Sequence, residues 1–338
     1  MLYLSTRSKT DSFTAYRALM EQRAPDGGFF VPFRLSSFPE EQLNKLSQAS
    51  FSENVAFILN YFFSTELSGW DVDCLIGRNV TKVTAMSRRV IAATVWNNPA
   101  RDYRYVVSRL AEKLTGSADL RSFSWVRLAI RIAVLFGLHA QVYKLGAQQY
   151  DVACADGNLE GLMATWYAKK MGLPIQVIIC ACNENSAPWE LFHRGQLDAS
   201  APVITTSTPG LDVQIPVQLE RLIFETLGFE QTQRYLNIAS QRLVYAPDAE
   251  ALSSINAGMF ASVISNRRIE SVIGSAYRSS GVLLDPYSAI AYGALQDYRT
   301  KTGENRYTLL VSDVSPDQFH QFVSKATGLT REEIIKRI

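Results

Sequence analysis

Tyr150-Asp151-Val152-Ala153-Cys154-Ala155-Asp156-Gly157-Asn158-Leu159-Glu160-Gly161 is the stretch that decides the fold. It runs directly into Leu162–Met171, a segment of good helix formers. The apolar run from Val152 to Ala155 indicates a buried strand, and Gly157 and Gly161 permit a tight turn before the helix. The sequence therefore predicts a strand, a glycine-bracketed turn and a helix.

A second strand follows this helix at once. Ile175–Cys182 is short, β-branched and nearly all apolar, as in a parallel strand that helices cover on both faces. The three elements form a βαβ unit, and the turn after its first strand lies at the carboxyl edge of the sheet, where open α/β folds bind ligands. The exposed amides at the helix N-terminus favour an anion such as a phosphate, but a carboxylate at Glu160 would repel it.

Composition excludes several classes of function. The chain has 338 residues, a formal net charge of +2 and no long basic run, so we expect no nucleic-acid partner. It has neither eighteen consecutive apolar residues nor an apolar leader at the start, which predicts a cytoplasmic protein without a membrane partner. The four cysteines fit reduced core thiols, and their spacing predicts no metal site.

Two arginines interrupt a strongly apolar helix that we predict over residues 122–138. Arg127 and Arg131 are four residues apart and therefore share one face. They either pair with carboxylates structurally or hold an anionic ligand. Lys82 is a further residue that could meet an anion, although a solvated face explains it equally well.

Other segments give weaker signals. Residues 55–63 are apolar nearly all round, which indicates a buried helix or a subunit contact. Residues 84–95 and 103–114 indicate two helices or a helix and a strand, separated by the Asn97-Asn98-Pro99 break. Residues 229–280 indicate helices joined at Pro247-Asp248, and Tyr307–Ser312 indicates a last strand. Asn183, at the end of the second strand of the βαβ unit, lies where ligand contacts collect.

Several stretches, taken together and in order, resemble threonine synthases. They are Tyr3-Leu4-Ser5-Thr6-Arg7, Ala24–Pro32, Gly157-Asn158, Tyr167–Ile175, Asn183-Glu184-Asn185, Asp212–Pro216, Glu220–Phe224 and Ala289–Tyr292. The resemblance implies a fold-type II α/β protein of the pyridoxal-phosphate-dependent class, whose members convert O-phosphohomoserine to threonine. In that chemistry a lysine Schiff base anchors the cofactor.

The motifs that hold the cofactor in this family are altered or absent. No segment resembles the lysine motif HGPTLAFKD, and residues 71–79, where we expect it to begin, read Asp-Val-Asp-Cys-Leu-Ile-Gly-Arg-Asn. The SGDTG-like loop for the substrate carboxylate is missing, and only residues 121–124 match the family's asparagine-rich stretch. The phosphate loop, similar to GNFGD, has become Gly157–Gly161, with Glu160 in place of its second glycine. The final TAHPAKF-like motif corresponds to Ser312–Phe319.

The resemblance also implies the domain organisation. We expect a threonine-synthase-like N-terminal domain at residues 1–70, a remnant of the family's small domain at 71–120, and the main α/β domain at 121–338 around the 150–182 unit. The predicted fold class is a threonine-synthase-like α/β fold, with a parallel sheet flanked by helices, a truncated second domain and a small N-terminal domain.

Three hypotheses for function follow. In the first, the chain is an enzyme without pyridoxal phosphate that acts on an amino-acid-like or carboxylate-bearing molecule by proton transfer or condensation. Glu160 is then the general acid or base, and the substrate-binding residues are Asn158, Gly157, Arg127, Arg131, Lys82 and Asn183. In the second, it is a binding or partner subunit that uses apolar surface around Tyr61, Phe62, Phe63 and Trp70, and it could form a homodimer.

The third hypothesis is residual pyridoxal-phosphate chemistry on another lysine. The candidates are Lys82, Lys144 and Lys169, of which Lys169 more plausibly faces solvent on the helix after the central turn. The histidines His139, His193 and His320 lie near no recognisable serine or cysteine nucleophile, so we expect them to be structural.

Overall fold

The computed structural model describes residues 1–87, 89–96 and 102–338. Its helices are α1 (Ala15–Met20), α2 (Glu40–Gln48), α3 (Phe51–Phe63), α4 (Gly69–Ile76), α5 (Tyr103–Thr115), α6 (Trp125–Lys144), α7 (Glu160–Lys170), α8 (Ala187–Arg194), α9 (Leu219–Ser240), α10 (Ala249–Asn256), α11 (Asn266–Ser280), α12 (Pro286–Thr302), α13 (His320–Thr327) and α14 (Arg331–Arg337). Its strands are β1 (Leu2–Ser5), β2 (Ser12–Thr14), β3 (Phe30–Pro32), β4 (Lys82–Ser87), β5 (Val90–Thr94), β6 (Tyr150–Cys154), β7 (Ile175–Cys182), β8 (Leu197–Asp198), β9 (Val244–Tyr245), β10 (Met259–Val263) and β11 (Tyr307–Ser312).

The main sheet has six strands in the order β10-β7-β6-β11-β5-β4. All neighbouring pairs are parallel except β4 and β5, which are antiparallel. The predicted βαβ unit is present as β6, α7 and β7, with Val152 opposite Ile178. Buried strands with continuous apolar runs are typical of parallel sheets covered on both faces, and this pattern made the unit recognisable from the sequence.

The structure confirms β11 at its predicted residues and corrects two other segments. β10 lies within residues 229–280, where only helices were predicted. It is a five-residue edge strand that begins directly after the turn at Gly258, so it lacks the length and periodicity that distinguish a strand. Residues 84–95, predicted as a helix or a single strand, instead contain most of β4 and all of β5, which pair as a bulged antiparallel hairpin, while residues 103–114 lie in helix α5. The predicted break at residues 97–99 lies outside the described residues.

The N-terminal part forms its own three-stranded sheet, in the order β2-β1-β3. Two adjacent charged residues of helix α9 connect this sheet to the rest of the protein. Glu220 accepts a hydrogen bond from Thr6 at 2.6 Å and pairs with Arg7 at 2.9 Å. Arg221, which is fully buried, donates to the Phe30 carbonyl at 3.1 Å. The N-terminal sheet is therefore joined to helix α9 by hydrogen bonds that involve two buried charged side chains.

Helix α6 is the centre of the core. The sequence predicts a helix over 122–138, and the structure extends it to Lys144. Among the described helices, α6 alone is long and apolar enough to cross a membrane, but 89% of its most apolar window is buried inside the fold. That burial is the property of a core helix.

Helix α3 packs in the same core. Phe62 and Phe63 are buried, and the Trp125 indole donates a hydrogen bond to the Tyr3 hydroxyl beside them. The aromatic run of α3 is therefore core packing, and of the residues proposed for an apolar contact surface only Trp70 is strongly exposed, at 66%. The partner-subunit hypothesis loses most of the surface on which it depended.

The range 71–120, predicted as a remnant of a second domain, contains most of α4 together with β4, β5 and α5. Both strands belong to the main sheet. A short loop that is exposed from Gly116 to Asp119 then joins α5 directly to α6. The expected fold class is confirmed as an α/β fold with a mostly parallel sheet, flanking helices and a small N-terminal sheet.

Candidate ligand-binding cavity

A cavity of about 320 Å³ lies at the carboxyl ends of β6 and β11. The N-terminal ends of α5, α7 and α12 surround it, and α6 contributes two arginines. This is the edge of the sheet at which the βαβ unit predicted a ligand site. Its charged lining side chains carry both signs and are Arg104, Arg127, Arg131, Asp102, Asp156, Glu160 and Asp313.

Asp156 occupies the N-terminus of α7. Its carboxylate accepts the backbone N–H of Glu160 at 2.5 Å and that of Gly161 at 2.8 Å. These amides are the donors that a phosphate would otherwise bind at a helix N-terminus. An internal carboxylate therefore fills the anion position of this turn.

The turn itself requires a glycine at position 157. The Gly157 N–H donates to the Gly210 carbonyl at 3.2 Å. A Cβ added there would lie 2.5 Å from that carbonyl oxygen, which is too close for any other residue without movement of the backbone. The close approach of these two segments shapes one wall of the cavity.

Glu160 is buried and faces the two arginines of α6. Its Oε2 accepts a hydrogen bond from Arg127 Nε at 2.5 Å, and Arg131 Nε lies 3.9 Å from its Oε1. Arg131 also forms a two-bond pair with Asp313 at the end of β11, one bond being 2.5 Å long. Its guanidinium lies over the Tyr103 ring, 3.9 Å from the ring centre. The four charged groups form one network across three elements.

Three buried polar atoms of this lining have no hydrogen-bond partner within the described part of the chain. They are the Tyr103 hydroxyl, Glu160 Oε1 and Arg131 Nε. Buried polar groups are nearly always hydrogen-bonded, and each one that lacks a partner needs an explanation. A bound polar molecule or water at the cavity floor would supply the missing partners.

The pKa values of the lining follow from burial and from this network. Burial and the nearby Glu160 carboxylate raise the pKa of Asp156 from 3.8 to about 6, against the opposing effect of Arg131. Burial also raises the pKa of the Tyr103 hydroxyl well above its ordinary range. Burial alone would lower the pKa of Arg131, but Asp313, Tyr103 and Glu160 raise it overall, so the guanidinium stays charged.

The structure brings five of the seven predicted site residues to this cavity: Glu160, Gly157, Asn158, Arg127 and Arg131. Glu160 is not the free carboxylate that a general base requires, because Arg127 engages it directly. Asn158 lines the cavity while its Oδ1 accepts the Val217 N–H at 3.4 Å, so it also holds the loop before α9.

The other two predicted residues lie elsewhere in the structure. Lys82 is in a second cleft on the edge strand β4, with its Nζ 3.4 Å from the Ile338 oxygen. Asn183 is fully buried and donates to Thr206 at 2.8 Å and Asp212 at 2.7 Å. Its position at a strand end was read correctly, but its side chain holds the 204–212 loop.

Sequence reasoning missed Asp156, Tyr103 and Asp313. Asp156 carried only a weak signal, since it lies four residues before α7 begins and Leu159, not Asp156, is at the N-cap position. Tyr103 and Asp313 carried none, because only the tertiary fold brings the start of α5 and the end of β11 beside α6.

The residues present do not fit pyridoxal phosphate. No lysine is among the described residues that line the cavity, and residues 88 and 97–101 include none in the sequence. Lys169 donates to the Gln176 carbonyl at 2.6 Å, at the opposite end of α7, and Lys144 is the last residue of α6. The amides suited to the cofactor phosphate are bound to Asp156, and Glu160 adds a second negative charge. No reaction step through that cofactor follows from this site.

The cysteines and histidines of the described part of the chain form no metal-binding cluster. Across the described ranges, no group of three or more His, Cys, Asp or Glu side chains is arranged to hold a metal ion. Cys180 and Cys182 are buried in β7, and burial raises the pKa of the Cys154 thiol well above its usual range, whereas Cys74 on α4 is exposed and not the core thiol expected from the sequence. A neutral buried thiol is a poor nucleophile.

Comparisons with known proteins agree with this architecture. Residues 2–79 match the family model "Threonine synthase N terminus". Threonine synthase from Pseudomonas aeruginosa is 28% identical over 227 residues, which cover 63% of this chain and 45% of that protein. Human "Threonine synthase-like 1" is 26% identical over 193 residues, or 55% of this chain and 26% of that protein.

A solved structure is also similar over most of the chain. The crystal structure of pyridoxal-phosphate-bound threonine synthase from Brucella melitensis superimposes with a TM-score of 0.84 and 19% sequence identity, covering 97% of this chain and 92% of the other. In the sequence comparisons, the chain spans less than half the length of the curated relatives named above.

Proposed function

We propose that the chain, as a member of the threonine synthase family, has no pyridoxal-phosphate chemistry and binds an amino-acid-like zwitterion in its cleft. The observation that carries this proposal is the lining of the cavity, which combines three arginines and four carboxylates with no lysine among the described lining residues.

Independence from pyridoxal phosphate is supported by Asp156. The side chain takes the two backbone donors that would face a cofactor phosphate. A phosphate bound to the same amides would have to displace the Asp156 carboxylate. Its negative charge would then lie in a buried site beside Glu160, where like charges repel strongly because water is excluded. The family's fold persists here around an altered anion site.

A zwitterionic ligand is supported by the arrangement of charge. Arginine binds carboxylates through a planar fork of donors, and Arg104 and Arg127 both line the cavity with part of their side chains exposed. Asp156, Glu160 and Asp313 offer acceptors for an ammonium group. A molecule with one group of each sign would satisfy both sets, whereas a simple anion would meet four carboxylates.

For a proton-transfer reaction on this ligand, Asp156 is a better candidate than Glu160. Its pKa of about 6 allows it to accept and release a proton near neutral pH. Glu160, buried against Arg127 and Arg131, would instead hold these arginines in position. In this proposal Asp156 exchanges the proton and Arg127 orients the ligand carboxylate.

The first test addresses the cofactor. The purified protein is incubated with pyridoxal phosphate, reduced with borohydride and analysed by intact and peptide mass spectrometry for a phosphopyridoxyl-lysine. We expect no stoichiometric label at a single lysine. Stoichiometric labelling of one lysine would overturn cofactor independence and identify the anchoring residue.

The second test addresses the ligand. Thermal shifts are measured with the proteinogenic amino acids, homoserine and O-phosphohomoserine, and each stabilising compound is compared with its matched amine and matched carboxylic acid. Binding to the native state raises the melting temperature by mass action. We expect stabilisation by a zwitterion, a smaller effect from either half, and loss of the effect in Arg127→Gln but not in Arg17→Gln, whose arginine pairs with Glu21 on the surface. Equal stabilisation of both variants would move the ligand away from this cavity.

A further inference from the structure

A second cleft, of about 590 Å³, lies along the edge strand β4. Its walls are the β4–β5 hairpin, the loop between α11 and α12, and the end of α14. None of its lining residues contributes to the first cavity. The two clefts are therefore separate sites on the same sheet.

The lining of the second cleft is rich in hydrogen-bond donors. Lys82 and Arg337 are exposed at its rim, and Thr84 and Asn79 add further polar groups. No aspartate or glutamate side chain is among the described residues that line it, and the Ile338 oxygen, 3.4 Å from Lys82 Nζ, is the acceptor with which an anion would share that donor. This contrasts with the first cavity, where carboxylates outnumber arginines.

Trp96 supplies an independent indication of a ligand. It lines the cleft and is only 6% exposed, yet its Nε1–H has no hydrogen-bond partner within the described part of the chain. The indole nitrogen can only donate, and a buried donor without an acceptor is destabilising. The missing partner must therefore be an acceptor.

We propose that this cleft binds a small organic anion, whose carboxylate or phosphate oxygens accept from the Trp96 indole and pair with Lys82 and Arg337. Lysine and arginine are the usual partners of such oxygens, and charge-assisted hydrogen bonds of this kind are among the stronger polar contacts. Lys82 is also the residue that the sequence suggested could meet an anion.

The second cleft is placed to influence the first cavity. The Val95 N–H donates to the Ser312 carbonyl at 3.0 Å, and the Tyr103 N–H donates to the Asp313 carbonyl at 3.0 Å. Trp96 follows the first of these contacts, while Tyr103 and Asp313 line the first cavity. An anion bound at Trp96 would therefore act next to a contact with Ser312, the neighbour of Asp313, whose carboxylate pairs with Arg131.

The test uses the ¹⁵N-labelled full chain and its tryptophan indole resonances, with the Trp96 signal assigned from Trp96→Phe. Inorganic phosphate and citrate are titrated separately, with sodium chloride at matched ionic strength as reference. We expect at least one of the two anions to shift the Trp96 indole signal saturably. The double variant Lys82→Gln/Arg337→Gln should weaken its affinity by about tenfold or more.

The control is Lys45→Gln/Arg34→Gln, which removes the same charge from exposed positions elsewhere. Response to phosphate alone or to citrate alone would distinguish a phosphate ligand from a carboxylate one. The proposal is overturned if neither anion shifts the Trp96 signal saturably, or if the Lys82/Arg337 double variant binds as tightly as the control. The readout is local to Trp96, so it does not depend on ligand binding in the first cavity.

Discussion

The Asp156 carboxylate accepts the backbone N–H of Glu160 at 2.5 Å, so one acidic residue of the cavity caps the helix that carries the other. The second oxygen of Asp156 bonds Gly161 in the same way. A carboxylate at a helix N-terminus is favourable through the helix dipole and through satisfaction of free amides.

Removal of both carboxylates should restore an anion site at the start of α7. In the double variant Asp156→Ala/Glu160→Gln, the backbone amides of residues 160 and 161 lose the carboxylate that accepts from them. Arg127 loses its carboxylate partner as well. We expect inorganic phosphate to shift the Gly161 amide resonance in this variant and to leave it unchanged in the natural protein. An unchanged resonance in both would show that Asp156 is not what excludes phosphate.

The pKa of Asp156 predicts a specific dependence of stability on pH. Its pKa rises from 3.8 in the unfolded chain to about 6 in the folded one, so the folded state binds this proton more tightly. The resulting stabilisation is complete below pH 4 and is lost as the pH rises through 6.

Asp156→Asn removes this titration. The free energy of unfolding of the natural protein, relative to that of Asp156→Asn, should therefore fall by about 2.4 kcal/mol between pH 4 and pH 7, at roughly 1.4 kcal/mol for each pKa unit. Urea titrations of both proteins across this range measure the difference. A difference that stays constant with pH would contradict the raised pKa.

The Glu160–Arg127 pair should be coupled in stability. Glu160→Gln leaves Arg127 partly buried without its carboxylate, so this substitution should lower the melting temperature as well as ligand binding. A double-mutant cycle with Arg127→Gln should give a coupling of about 1–3 kcal/mol. The exposed Glu41–Lys45 pair on α2 is the control, with a coupling below about 0.5 kcal/mol. Additive effects in both cycles would mean that Glu160 and Arg127 act independently.

Asp313, although it lies at the end of a strand, should contribute strongly to the free energy of unfolding. Asp313→Ala leaves the buried Arg131 without its two-bond partner, which should cost about 3 kcal/mol or more of unfolding free energy. The comparison is Asp297→Ala, whose partner Arg268 has a side chain 37% exposed and can be hydrated. Chemical denaturation of the two variants gives the ranking, and a smaller loss for Asp313→Ala would argue against a structural role for the network.

The parts of the fold that could be predicted from the sequence are those with a clear local pattern of apolar and turn residues. The β6–α7–β7 unit has apolar strands, a glycine turn and a helix in immediate succession, and β11 is a clean run of six residues. β10 has no such pattern, since it is a short edge strand that pairing with β7 stabilises. Local periodicity reports which face of an element is buried but not which distant strand lies beside it.

The same distinction between local patterns and tertiary contacts applies to the candidate site. Gly157, Asn158 and Glu160 belong to one local motif, and Arg127 and Arg131 to one helix face, so both groups were identified. Their mutual contact depends on the packing of α6 against α7. Glu160 is therefore an ion-pair partner, and Asp156 is the group whose pKa lies near neutrality. Neither role could be predicted from residue spacing, because both depend on distances in the folded structure.

The short connection between α5 and α6 also makes the protein suitable as a biosensor scaffold. Residues Gly116 to Asp119 are exposed, and a few positions later Ser122 lines the cavity. Exposed loop tips tolerate inserted domains well. A circularly permuted fluorescent protein placed at Ser117 would be tethered to a wall of the ligand cavity, so that occupancy of the cavity could be recorded as a change in fluorescence in living cells.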